Sequence, residues 1–385
     1  MDLDAFRWLL TDPGQRLLER AAEVPGDELH AQTVLRRTAS PEHVAAALTQ
    51  VTLRRQAAVK FGDLAERMFF TPEGLEQATR LPVATHRAAR LGTASVGSVI
   101  DLCCGIGGDL VAFSRAGITS AGVDLDPLRV EVATANLAAL GLPGAITVAD
   151  ATRVNTSPFD AAYADPSRRS GRGRTFSVDA WTPPWSFVEA LLHRDACVKV
   201  APGIPHDLIP HEVEAEWVSD HGEVKEAALW SGRLASTRRR ATVIGHGGLA
   251  TLTDEDDPGA GVREVGEFLY EPDGAVIRAG LVTAVAAGVG GGLIDEHIAY
   301  VTADESFRTP FARGYRVVET LPYRERALRA ALRERNVGSL TIKKRGVDIV
   351  PDQLRKRLDL TGHEAATLVL TRVAGHGTAL LVKPF

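Results

Sequence analysis

The sequence predicts an α/β fold: a parallel sheet over residues 91–248, preceded by a helical region at 1–90 and followed by an α+β domain at 262–385. Three observations carry that reading. Val99–Leu102 is a short apolar run ending in the turn Gly105-Ile106-Gly107-Gly108, and a helical stretch from about Asp109 to Ala116 leads to a second apolar run, Thr119–Val123. Before residue 90 the apolar residues recur at helical spacing. After residue 262, strand-like and helix-like segments alternate.

In the N-terminal region, Phe6, Leu9, Leu10, Leu17, Leu18 and Ala21 fall on helical faces. Ser40 and Pro41 read as N-cap and first turn of a helix running through Val44 to Leu53. Thr71-Pro72-Glu73-Gly74 is a second start, continued by Leu75, Ala78 and Leu81. Phe69 and Phe70, just before that cap, are expected to be exposed. They either staple the helix start or form a lid over a site.

Gly105 and Gly107 free the backbone to turn sharply and let a ligand approach the main chain. Strand, Gly turn, helix, strand and terminal acid form the front half of a nucleotide-binding fold, with Asp124 placed for ribose hydroxyls. A dinucleotide fingerprint requires a third Gly where Leu110 stands, so pyrophosphate is disfavoured. S-adenosyl-L-methionine carries a sulfonium and no phosphate, and a carboxylate at Asp101 suits its cationic amino-acid end. Val99-Ile100-Asp101-Leu102-Cys103-Cys104-Gly105-Ile106-Gly107-Gly108 resembles motif I of the class I S-adenosylmethionine-dependent methyltransferases. Its Cys-Gly-x-Gly-Gly form is similar to the trimethylguanosine synthase branch of RNA methyltransferases. The resemblance implies a Rossmann-like sheet, the methionine moiety held at Asp101, Gly105 and Gly107, and the ribose held at Asp124. Phe69-Phe70-Thr71-Pro72-Glu73 is similar to the Phe-Ser-Val-Thr-Pro-Glu segment that precedes the catalytic domain in that branch.

Downstream, Asp126-Pro127 caps a helix to about Leu140 that Gly141 ends, and Ala145–Val148 is the third strand. Asp150 follows it; the methyltransferase pattern gives this acid the adenine amine, and the local alternative is a cap on the next turn. The strand Phe159–Ala164 delivers Asp165-Pro166-Ser167-Arg168. The position resembles the Asp/Asn-Pro-Pro-aromatic motif of amino methyltransferases, which implies that Asp165 and Pro166 help to hold an acceptor in line with the methyl group. The second Pro and the aromatic are absent. Trp181 or Trp185 either supplies stacking or packs a helix onto the core. Arg168, Arg169, Arg172 and Arg174 form a basic loop beside this point, read as phosphate-binding or as a solvated loop. Ala196–Val200 is the fifth strand, and Pro202, Gly203 and Pro205 break the chain before an acidic segment, Glu212–Glu216. Glu223–Trp230 and Arg240–Ile244 read as an antiparallel pair closing the sheet, with Gly245–Gly248 and Asp254–Gly261 as linker.

The C-terminal domain reads as strand Glu267–Tyr270, helix Ala275–Ala287, strand Tyr315–Glu319, helix Tyr323–Glu334, strand Ser339–Ile342, helix Pro351–Leu358 and strands Ala366–Val373 and Thr378–Val382. Between Arg313 and Arg357 stand thirteen Lys or Arg against five Asp or Glu, a local excess on a chain whose net charge is −5. Lys343, Lys344 and Arg345 are expected on a strand-to-strand turn, either gripping one phosphate backbone or simply solvated. The segment resembles the THUMP-like domain of a set of bacterial methyltransferases, and THUMP domains proper bind RNA.

Hydrophobic residues at 45% and charged residues at 24% suit a soluble globular protein of 385 residues. Three cysteines cannot build a disulfide framework or a zinc site, and Cys103 and Cys104 read as packed, unreactive thiols. No apolar run approaches the ~20 residues of a membrane span and no signal peptide opens the chain, so a cytoplasmic location is expected. The reading is a methyltransferase that uses S-adenosyl-L-methionine, acts on RNA and needs no metal. Two alternatives stay open: a small-molecule or protein methyltransferase, or a non-catalytic RNA-binding protein on the same fold.

Overall fold

The computed structural model describes residues 2–25, 27–168 and 181–385. It divides into two compact units, Met1–Val213 with Ala228–Ser236, and Glu214–Ala227 with Thr237–Phe385.

The first unit begins with helices α1 (Leu3–Leu9), α2 (Asp12–Glu23), α3 (Glu28–Leu35), α4 (Pro41–Phe61), α5 (Pro72–Gln77) and α6 (Leu81–Thr93). Caps set their starts as the sequence predicts: Ser40 accepts from His43 N, and Thr71 accepts from Gly74 N. Phe6, Leu9, Leu17, Leu18 and Ala21 are buried, while Leu10 remains exposed. Phe69 and Phe70 are not exposed. They are 4% and 0% accessible, and Phe6 and Phe61 pack on them. Two buried amides satisfy their backbone: Gln50 donates to and accepts from Phe70, and Asn136 does the same for Phe69. A segment clamped by four such bonds is core, so the lid reading fails.

The sheet of this unit comprises β1 (Ser98–Leu102), β2 (Thr119–Asp124), β3 (Ala145–Val148), β4 (Ala161–Ala164) and β7 (Ala196–Val200), in the order β7-β4-β1-β2-β3. All these neighbours are parallel. Helices α7 (Gly108–Arg115), α8 (Pro127–Leu140) and α9 (Trp185–Leu191) are the crossovers, and β5 (Ser167–Arg168) pairs with β6 (Trp181–Thr182) as a small ribbon. Parallel strands are covered on both faces, which is why β1 and β4 are apolar almost throughout.

In the second unit, the end of the acidic segment, to which the sequence assigned no element, is a strand, β8 (Glu214–Asp220). Its buried Glu214 pairs with Arg240 and its Glu216 accepts from Thr242 Oγ1, so burial of these acids is offset. Strand β9 (Glu223–Ser231) follows, with Glu223–Ala227 in this unit and its remainder assigned to the first, then β10 (Arg239–Gly245) and β11 (Gly248–Thr253). The expected β9–β10 pair does not form; β10 runs parallel to β8 and antiparallel to β11. Gly245–Gly248 is therefore a hairpin turn, not a linker.

The rest of this unit holds β12 (Phe268–Pro272), β13 (Gly292–Leu293), β14 (Val301–Ala303), β15 (Ala312–Leu321), β16 (Val337–Lys344), β17 (Glu364–Val373) and β18 (His376–Pro384), in the order β13-β14-β12-β15-β18-β17-β16. The helix expected at 275–287 is two, α10 (Gly274–Ala279) and α11 (Val282–Gly288), separated by Gly280 at φ 70°. Helices α12 (Glu325–Glu334) and α13 (Pro351–Leu358) bury Leu328, Leu332, Leu354 and Leu358 against Leu340, Leu368 and Leu370. Since β16 leads into α13, the basic segment at 343–345 is a strand end and not a strand-to-strand turn.

Candidate active site

Beside the Gly turn lies a cavity of about 490 Å³, lined by residues that follow β1, β2, β3 and β4 and by Gly74, Gln77, Ala78 and Thr79 at α5. Parallel strands present their C-terminal ends to such a crevice. Asp101, Gly105, Asp124, Asp150 and Asp165 all line it. Gly105 has φ 56°, and a Cβ there would meet open space, so a ligand can reach its main chain. Gly107 does not line the cavity. It takes the left-handed N-cap of α7, and a Cβ on it would press on Ala133 of α8 at 3.1 Å. Its glycine serves helix packing, and Gly108 is the neighbour that faces the cavity.

Two hydrogen bonds fix the Asp124 carboxylate: Gly105 N donates to Oδ2 at 3.0 Å and Asp126 N to Oδ1 at 3.0 Å. Asp150 accepts from Thr152 N and Oγ1 through Oδ1, which holds its carboxyl below the usual range. It therefore caps a turn and also lines the cavity. Asp101 is 1% exposed, and its Oδ1 has no hydrogen-bond partner among the described residues. Burial, then the charges of Asp109 and Asp165, push its carboxyl well above the ordinary carboxylate range. Burial and the carboxylates of Asp101 and Asp124 likewise push both Cys103 and Cys104 thiols up; Cys104 is packed as expected, whereas Cys103 is half-buried at the cavity wall.

Four participants escape a reading by motif: Asp109, Arg87, Tyr163 and Lys199. Asp109 lines the cavity, pairs with buried Arg87 of α6 and accepts from Tyr163 OH at 3.3 Å. The Arg87 guanidinium also stacks 4.5 Å from the Tyr163 ring centroid. Lys199 of β7 stands 2.6 Å from Asp165 Oδ2. The register sets Ala164 beside Val198, so Asp165 and Lys199 are adjacent at the strand ends. The signals were present: Arg87 lies on the apolar stripe of Val83 and Leu91, and Lys199 interrupts an otherwise apolar strand.

Pro166 is buried behind Asp165. Trp181 is 5% exposed and meets Trp185 edge-on at 5.4 Å, and neither ring lines the cavity, which is the packing alternative. Arg168 ends β5, whereas Arg169, Arg172 and Arg174 fall outside the described residues. In the second unit, Lys343 pairs with Glu271 at 2.6 Å and Arg345 lies over the Tyr300 ring, while Lys344 is exposed on the alternate face of the strand end.

Six carboxylates (Asp101, Asp109, Asp124, Asp126, Asp150 and Asp165) and one arginine, Arg129, line the first cavity. Fold and site thus define an α/β protein whose crevice favours a cationic, nucleoside-sized ligand over a polyphosphate. The chain is 39% identical over 349 residues to uncharacterized S-adenosylmethionine-dependent methyltransferases of two Mycobacterium tuberculosis strains, CDC 1551 / Oshkosh and ATCC 25618 / H37Rv. Each alignment covers 86% of this chain and 95% of the relative. The protein belongs to the S-adenosylmethionine-dependent methyltransferases. A THUMP domain-like family matches residues 312–384, and a domain of unknown function (DUF8688) matches 2–57. A provisionally named methyltransferase structure from Porphyromonas gingivalis W83 shares the fold, with a TM-score of 0.75 at 21% identity, covering 99% of this chain and 97% of that one. The cofactor is S-adenosyl-L-methionine, and no helix among the described residues is long and apolar enough to cross a membrane.

Proposed function

We propose that this enzyme methylates RNA, with the cofactor in the acidic crevice and the acceptor at Asp165. The observation that carries the site assignment is the convergence of Asp101, Gly105, Asp124, Asp150 and Asp165 on one cavity rich in carboxylates. The cofactor supplies an electrophilic methyl on a sulfonium. Asp101 faces its ammonium, Asp124 its ribose hydroxyls and Asp150 its adenine amine, while Gly105 lets the main chain close in. Asp165, oriented by Lys199 and backed by Pro166, positions the acceptor atom in line with that methyl. The RNA reading draws on the THUMP domain-like match and on the basic composition of residues 313–357. Its test is transfer of labelled methyl to a total cell extract: RNase-sensitive label is expected, and label confined to protein or small molecules would overturn it.

Asp101→Asn separates binding from folding. The unfolded carboxyl titrates near ~3.9, whereas the folded one keeps its proton to higher pH because it is buried. Folding therefore takes up a proton above about pH 4. The penalty from Asp101 is absent below that point, grows as pH rises and levels off once the folded carboxyl ionises. Asp101→Asn should stabilise the cofactor-free protein at neutral pH and weaken cofactor binding, and it should flatten the rise of cofactor affinity with pH. Melting curves and calorimetry across pH test this; an unchanged pH dependence would remove Asp101 from the ammonium site.

At the acceptor position, Asp165→Ala should leave cofactor affinity intact and lower turnover roughly 10²-fold or more, as a misplaced acceptor does. Lys199→Met should follow the same pattern less severely. Equal turnover in the Asp165 variant and the wild type, on any acceptor found, would end its role.

A further inference from the structure

We infer that a second cavity, wholly within the C-terminal unit, is the groove that grips single-stranded RNA. The inference rests on the reading that RNA is the acceptor. This cavity, about 810 Å³, is larger than the cofactor cavity, and Arg308, Arg313, Lys343 and Arg345 line it together with Glu271 and Phe307. Glu271 is already compensated: Lys343 Nζ donates to its Oε2 at 2.6 Å and Tyr315 OH at 3.1 Å. Asp273, also in the wall, spends Oδ1 on the N-cap of α10. Arg308, Arg313 and Arg345 form no ion pair among the described residues, and with Glu271 matched by Lys343 they face a single remaining acid of the wall, Asp273, so positive charge is in excess. They come from three separate segments: the loop before β15, the start of β15 and the residue after β16. Guanidiniums brought together from three segments suit phosphates, because each planar fork matches phosphate oxygens. Phe307, a large apolar ring left 43% exposed at the same wall, offers a stacking face for a base. A basic groove with an exposed aromatic is the pattern that tracks an unpaired nucleic-acid strand.

The proposal sorts residues that composition alone treats alike. Lys344 precedes Arg345 in sequence and carries the same charge, yet it points away from this cavity. The probe is a fluorescein-labelled ten-nucleotide uridine RNA, followed by anisotropy on the full-length protein over a salt series. Arg308→Gln combined with Arg313→Gln should weaken binding at least tenfold and flatten log affinity against log salt by about 1.4, two contacts at about 0.7 each for a single strand. Lys344→Gln should shift affinity less than about twofold. S-adenosylmethionine affinity, measured on the same samples, should be unchanged in all variants. Wild-type affinity and slope in the double variant, or an equal loss in Lys344→Gln, overturns the groove; RNase-sensitive methyl transfer by the wild type would then leave the RNA reading standing. Cleft-dependent binding of the probe with no RNase-sensitive transfer would strike the RNA reading and spare the groove.

Discussion

Arg87→Met is expected to destabilise the first unit by about 3–5 kcal/mol, the cost of leaving one partner of a buried ion pair uncompensated. The pair qualifies, since the Arg87 and Asp109 side chains are 2% and 9% exposed. Removing the guanidinium leaves the Asp109 carboxylate with Tyr163 OH at 3.3 Å and takes away the cation stacked on that ring. The double change Arg87→Met with Asp109→Leu should recover most of the loss, because an apolar pair of similar volume needs no compensation. Urea unfolding of the two single variants, the double variant and the wild type gives the coupling energy directly. Additive effects in that cycle would show that the pair does not act as a unit. The consequence for function is direct. Arg87 sits on α6 in the N-terminal helical region, while Asp109 lines the cofactor cavity, so those helices are part of the site's support.

How much of this was legible in the sequence depends on the range of the forces involved. The turn at Gly105, the caps at Ser40, Thr71 and Asp126 and the helix stop at Gly141 were readable because each is decided by a few adjacent residues. The acids at the C-terminal ends of β1, β2, β3 and β4 were readable because strand ends in a parallel sheet share one edge by topology. What was hidden needed a partner far along the chain. Glu214 and Glu216 gave no strand signal, and partners such as Arg240 and Thr242 across the sheet allow them to be buried in a strand. Phe69 and Phe70 looked exposed because their cover comes from Phe6 and Phe61 and their backbone partners are Gln50 and Asn136. Gly107 was read as a ligand contact because a Gly that admits a ligand and a Gly that admits a helix are the same letter. Strands β13 and β14, at two and three residues, are too short to carry a period.

Asp124→Ala is expected to weaken S-adenosylmethionine binding ten- to a hundredfold, the loss of a hydrogen bond to a charged acceptor at roughly 1.5–3 kcal/mol. A carboxylate offers about four lone-pair sites. Gly105 N and Asp126 N each occupy one, on different oxygens, and Asp124 lines the cavity with its remaining acceptor capacity. The same side chain therefore shapes the turn and presents acceptors to a ribose. Asp124→Asn should be nearly as damaging, because one of its two ends is an amide NH₂ that would face a backbone N–H already pointing at it. A role resting on side-chain volume alone would instead make the isosteric change mild. Calorimetry with S-adenosylmethionine on variants that keep the wild-type circular dichroism is the measurement. Unchanged affinity in a folded Asp124→Ala protein would remove Asp124 from the site, and the ribose would then have to be held by the Asp126 side chain at the start of α8, the other carboxylate that lines the cavity beside it.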